Sequence, residues 1–268
     1  MLAGGPARGL SFVPGLLGLA GHGRGCPTWR TVARGDYPLP FNRPNSLLPN
    51  EKRGFMKRLL LIVTVAMLCL VAPAIAQEIK LGDFSAGDLK GWEEKSFAGS
   101  TSYELVKQDG RQVLKAVSEK AASGLFKEVE IDLKKYPILR WSWKVEGVLA
   151  GGDALTKAGD DYPARIYIVF PAFLFWNTRG INYIWANKLP QGEAVPNAYA
   201  SQVIMVAVES GSAKAGQWMR EERNVYEDYK KLFNEEPPAL GAVAIMTDTD
   251  NTGGRAVAYY GDITLSAK

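Results

Sequence analysis

The chain has 268 residues, 47% hydrophobic and 22% charged, an ordinary globular composition that excludes a wholly disordered or fibrous protein. Its formal charge of +4 conceals an asymmetry: nine Lys or Arg against two acids before Gln77 leave the remaining 192 residues at −3, and Cys26, Cys69 and His22 all lie upstream of Gln77. For residues 77–268 this excludes thiol nucleophiles, Ser-His-Asp triads, disulfides and the usual zinc and haem sites, and a mildly acidic body gives no electrostatic reason to expect nucleic acid.

Residues 1–55 are rich in Gly, Pro and Arg and lack any apolar period, so they read as a mis-assigned start or a disordered extension. Lys52-Arg53-Gly54 can be encoded by a purine-rich run placed as a ribosome-binding site for Met56. Residues 56–76 have the three parts of a secretory signal peptide. Met56-Lys57-Arg58 is basic, Leu59–Val71 is apolar, and Ala74 and Ala76 are placed for cleavage before Gln77. A membrane span needs about 17–25 apolar residues, which this stretch reaches only by counting Pro73 and the flanking alanines. Cys69 follows Leu68, where a lipoprotein would carry a small residue. The expected mature chain is therefore residues 77–268, periplasmic or secreted, with no stable membrane anchor after cleavage.

From Gln77 onward, short apolar or alternating runs predict strands over residues 79–84, 102–107, 112–117, 124–131, 138–145, 165–170, 181–186, 203–209, 242–247 and 256–265. Turn chemistry separates them at Asp109-Gly110, Gly151-Gly152, Gly211-Ser212 and Thr252-Gly253-Gly254. One helix is predicted: Asn224 caps it, Glu227 completes a capping box, Val225, Tyr229, Leu232 and Phe233 share a face, and Pro237-Pro238 stops it. Ten strands and one short helix, without crossover helices, predict an all-β fold, an antiparallel β-sandwich in a single domain. Residues 203–208 and 242–246 are apolar without alternation, so both faces of these strands should be covered.

Three motifs carry a resemblance. Gly82-Asp83-Phe84 with Leu89-Lys90-Gly91-Trp92 opens the domain, Asp160-Asp161-Tyr162-Pro163-Ala164-Arg165 lies in its middle, and residues 244–253 with Tyr260-Gly261-Asp262-Ile263 close it. Together they resemble a family of secreted bacterial proteins, domain of unknown function 3047, over nearly the whole of residues 77–268. The resemblance implies an exported protein and brings no catalytic residues. A looser similarity holds to galactose-binding-like jelly rolls, which include many carbohydrate-binding modules; Asp83-Phe84, Trp92 and Asp262-Ile263 fit their outline.

Strand 138–145 places Trp141 and Trp143 on an apolar face, which reads as core, and Arg140 and Lys144 on the other. Strand 165–170 likewise places Arg165 and Tyr167 opposite Ile166 and Ile168. If the two strands are neighbours, Arg140 and Arg165 converge on one face and can grip a carboxylate or sugar hydroxyls. Asp160 and Asp161 precede Arg165; in an extended chain they point opposite ways, one toward Arg165 and one toward water, although plain turn chemistry before Pro163 accounts for them equally. Tyr183 and Trp185, with Trp176, flank Asn177, Thr178 and Arg179 and supply rings for stacking unless they belong to the core. Asp248, Asp250 and Asn251 sit like the start of an EF-hand loop, but Tyr259 occupies the twelfth position, so only a looser calcium site fits. Asp83 and Asp262, in the terminal strands, form a second candidate for structural calcium.

The function these residues indicate is a non-catalytic module binding a glycan or other small polar ligand through Arg140, Arg165, Tyr167, Asp160, Asp161, Tyr183 and Trp185. No cofactor is expected, and structural calcium stays open at the two candidate sites. Two other classes stay open: a carboxylate-based glycoside hydrolase or lyase, and an envelope protein-interaction domain. Ser118-Glu119-Lys120 and Ser212-Ala213-Lys214 lack the Ser-x-x-Lys spacing of a catalytic dyad.

Overall fold

The computed structural model describes residues 77–267; residues 1–76, with the expected signal peptide and both cysteines, and Lys268 lie outside the described residues. In chain order the strands are β1 (Glu78–Gly82), β2 (Glu93–Ala98), β3 (Ser102–Gln108), β4 (Arg111–Glu119), β5 (Ala122–Ile131), β6 (Ile138–Val145) and β7 (Arg165–Phe170). They continue with β8 (Arg179–Ala186), β9 (Ala194–Pro196), β10 (Val203–Ser210), β11 (Met219–Asn224), β12 (Leu240–Asp248), β13 (Arg255–Tyr260) and β14 (Ile263–Ser266). A single α-helix among the described residues, α1 (Val225–Phe233), follows β11. No helix among them is long and apolar enough to cross a membrane.

The strands form two seven-stranded sheets, a jelly-roll-like sandwich. In the first, β6 is flanked by β11 on one side and by β13 and β14 end to end on the other, with β4–β3 and β1 beyond. The second runs β2-β5-β12-β7-β8-β10-β9. Among the described residues every ladder is antiparallel except β8–β10, which is parallel. The predicted strand 256–265 divides because the chain kinks at Gly261: its N–H donates to the Ser142 carbonyl, and a Cβ there would lie 2.2 Å from Ser142 Oγ.

Aromatic side chains join the sheets. Trp141 stacks on Tyr183, with centroids 5.4 Å apart, and Trp143 lies edge-on to Trp141 and 6.0 Å from Trp185. All four are buried, as large planar groups facing each other across two apolar sheet faces must be. In β10, Val206 and Val208 enter this core, while Met205 and Ala207 pack outward under Tyr162 and Leu189, so both faces are covered as expected. Asn224 Oδ1 accepts the Glu227 N–H and caps α1. The helix ends at Phe233, before the prolines, because Asn234 adopts a left-handed conformation (φ 54°) and terminates it. Tyr229 of α1 packs on Phe170, and the Tyr183 hydroxyl donates to Asp228, tying helix to sheet.

Candidate functional site

The alternation of β7 and β12 places Ile166, Ile168, Val243 and Ile245 in the core. Arg165, Tyr167, Met246 and Asp248 occupy the opposite face, where they line a cavity of about 380 Å³. Arg165 and Met246 are register partners in the β7–β12 ladder, which brings Arg165 beside Asp248. Arg165 Nη2 donates to Asp248 Oδ2 at 2.5 Å, and the two side chains are 4% and 2% exposed. The guanidinium lies between the rings of Tyr162 and Tyr167, at 5.0 and 5.3 Å from their centroids. Its Nε and Nη1 are buried and have no hydrogen-bond partner.

Three further carboxylates surround this pair. Asp160 Oδ1 accepts from the Tyr162 hydroxyl and from Asn197 Nδ2. Asp161 accepts the N–H groups of Asn251 and Thr252, anchoring the loop after β12 to the segment before β7. One carboxylate oxygen from each of Asp161, Asp248 and Asp250 falls within 4.8 Å of the others. Burial pushes the Asp248 carboxyl well above the usual carboxylate range; Arg165 draws it down, while Asp161 and Asp160 push it further up. Burial also raises Asp250, with Asp161 adding to the shift. For Arg165 burial opposes the charge, but Asp248 and the neighbouring groups overcome it and the guanidinium stays protonated. Burial pushes the Tyr167 hydroxyl up to about 12, so it remains a neutral donor and acceptor.

Two exposed rings border the cavity, Phe97 of β2 at 64% exposure and Tyr199 at 57%. Phe97 rests edge-on against Phe126. Tyr199 is oriented by Asn197, whose Oδ1 accepts the Tyr199 N–H, and its hydroxyl donates to the Lys157 carbonyl. The cavity thus offers aromatic walls, unpartnered guanidinium N–H groups and carboxylate acceptors within one small volume.

The structure gathers Arg165, Tyr167, Asp160, Asp161, Asp248, Asp250 and Asn251 in this region and separates the other expected residues. Arg140 lies on β6 in the first sheet, so its strand is no neighbour of β7 and the two arginines do not converge. Arg140 pairs instead with Glu222 and Ser266 beside a different hollow of about 530 Å³. Tyr183 and Trp185 are fully buried between the sheets and present no ring to solvent. Asp160 and Asp161 are both buried, neither facing water, and the ion-pair partner of Arg165 is Asp248. Asp83 and Asp262 do not assemble a three-ligand set among the described residues: Lys80 pairs with Asp83, and Asp262 accepts both the N–H and the hydroxyl of Ser85. Asn251 turns its Nδ2 toward the Tyr199 hydroxyl.

Phe97, Tyr162, Asn197 and Tyr199 carry no mark of a site residue in the sequence. Phe97 sits in the charged run Glu93–Ala98, which shows no apolar alternation, and Tyr199 in a connecting segment; no local signal marks either. Tyr162 falls within the Asp160–Arg165 motif, and that motif was the available clue.

No curated protein sequence matches the chain. Among solved structures, the chain is similar to the family 11 carbohydrate-binding module of the cellulosomal cellulase Lic26A-Cel5E of Clostridium thermocellum, with 11% identity, TM-score 0.41, and coverage of 73% of this chain and 97% of that one. It is also similar to the family 30 module of cellulase Cel9D-Cel44B of the same organism, with 10% identity, TM-score 0.43, and coverage of 72% and 98%. A third is the CBM22-1 xylan-binding domain of Paenibacillus barcinonensis Xyn10C, with 13% identity, TM-score 0.37, and coverage of 74% and 99%. The sequence itself matches, over residues 90–264, the family described as Protein of unknown function (DUF3047), and the chain belongs to that family.

Proposed function

We propose that the domain is a non-catalytic binding module for a polyhydroxylated, glycan-type ligand, held in the cavity beside Arg165. The observation that carries this reading is the juxtaposition of Phe97 and Tyr199, two exposed rings, with a buried guanidinium that has two nitrogens unpartnered. A sugar presents an apolar ring face that stacks on aromatics and hydroxyls that both accept and donate. Its hydroxyls accept from Arg165 Nε and Nη1 and donate to Asp160 and Asp250. Catalysis by a carboxylate pair fits less well, despite the close carboxylates. Asp248 is committed to Arg165, Asp161 to two backbone N–H groups and Asp160 to Tyr162 and Asn197, which leaves Asp250 without a second uncommitted carboxylate beside it. The Met56–Ala76 pattern supports export, so the ligand is sought among extracellular or envelope glycans.

A glycan array followed by calorimetry on the purified protein tests the reading, with Phe97→Ala and Tyr199→Ala as variants. Each loss of a stacking ring should weaken binding several-fold while the melting temperature stays close to that of the parent. Binding that is unchanged in both variants, or absent from the array altogether, overturns the assignment. Release of reducing sugar from a bound glycan would replace it with the hydrolase reading.

A further inference from the structure

The cavity wall has two unmet demands of opposite sign. Asp161, Asp248 and Asp250 bring three carboxylate oxygens within 4.8 Å, and Asp160 lines the same cavity, against one guanidinium. Arg165 in turn is almost wholly buried, bonded through Nη2 to one member of that cluster, with Nε and Nη1 left without acceptors. Several carboxylates around one guanidinium, with Asp161 and Asp248 buried, leave negative charge in excess, and buried N–H groups without acceptors are costly as well. A positively charged ion that carries its own oxygen ligands meets both demands: the ion neutralises the carboxylates, and an oxygen bound to it accepts from Arg165.

We propose that Asp161, Asp248 and Asp250 hold a divalent cation of the calcium type on the wall of the cavity. The donor set is all oxygen and contains no His or Cys, which suits a hard cation. Asp161 comes from the segment before β7 and Asp248 and Asp250 from the end of β12 and its loop, so the ion ties together two segments far apart in sequence. Water or a ligand hydroxyl completes the coordination on the cavity side. The assignment shares this cavity with the glycan reading, and the two are tested separately. Calcium binding without glycan binding retains this site and removes that reading; glycan binding with no calcium bound does the reverse.

The test is calcium titration of the chelator-treated protein by calorimetry, with terbium luminescence sensitised by the nearby tyrosines as a second measure. One ion should bind per chain, and calcium should raise the melting temperature by mass action. Asp250→Asn, at an exposed position, should lower the affinity by about 10-fold or more, on the scale seen when metal sites lose supporting groups. Asp161→Asn should do the same. Glu104→Gln, an equal change of charge at an exposed position on β3, should leave the affinity unaltered. Absence of calcium binding up to millimolar concentration, or equal affinity in the Asp250→Asn and parent proteins, overturns the assignment.

Discussion

Arg165 and Asp248 form an ion pair sealed from solvent on the outward face of a sheet, with their strands joined by the β7–β12 ladder. From the sequence, Arg165 and Arg140 stand as equivalent ligand-binding arginines. The structure makes them unequal. Arg165→Ala leaves a buried carboxylate unpaired and should cost about 3–5 kcal/mol of stability. Arg140, in an exposed pair with Glu222, should cost less than about 1 kcal/mol when replaced by Ala. Urea unfolding of both variants decides the matter; equal stabilities would mean that the Arg165 environment is misassigned.

Glu221, on edge strand β11, accepts from Trp143 Nε1 and is partly buried. Burial raises its carboxyl above the ordinary range, and Glu209 adds to the shift. With a folded-state pKa above the unfolded one, Glu221 contributes most favourably at acid pH, and that contribution is lost as pH rises through the folded value. Gln at this position keeps the acceptor and never ionises. Glu221→Gln should therefore melt higher than the parent at neutral pH and show a smaller difference, or none, at acid pH. An advantage that does not vary with pH would contradict the electrostatic origin.

Asn234 ends α1 with φ 54° and ψ 36°. A Cβ branch without the Asn amide is disfavoured there, so Asn234→Ala should destabilise by about 1 kcal/mol, whereas Asn234→Gly should be neutral or stabilising. Thermal melts of the two variants check this, and the reverse order would show that the left-handed turn is not retained in solution.

N-terminal sequencing of protein recovered from the cell envelope should read from Gln77, and melts of that product should be the same with and without reductant, because no Cys follows Gln77. An intact Leu59–Val71 segment in the product would refute the expected cleavage.

Much of the fold was legible because burial imprints a period. Strands 138–145 and 165–170 coincide end to end with β6 and β7, whose alternation separates core from surface in the sequence itself. Edge strands escape this reading. Glu93–Ala98 and Met219–Asn224 are held by backbone ladders on one side and are rich in charge, so no apolar alternation announces them. The site was legible as chemistry, in the Asp160–Arg165 motif and the Asp248–Asn251 loop. It was not legible as a place. Alternation tells which residues share a face, but not which sheet a strand joins, so parity alone puts Arg140 with Arg165 although the sandwich separates them. The same limit applies to Tyr183 and Trp185, whose parity is equally consistent with core and surface until the partner sheet is known.

The parallel ladder β8–β10 bears on how the cavity is bounded. Parallel strands cannot be joined by a tight hairpin, so the chain must travel back along the sheet before β10 can begin. Residues 187–202 make that return, and they carry Asn197 and Tyr199 to the cavity while β9 pairs with the edge of β10. One wall of the cavity is thus made by a detour that the topology imposes, whereas its floor belongs to the sheet. A change in the length or side chains of that detour would remodel the opening while leaving Arg165 and Asp248 in place, so the shape of the opening can diverge independently of the sandwich that supports it.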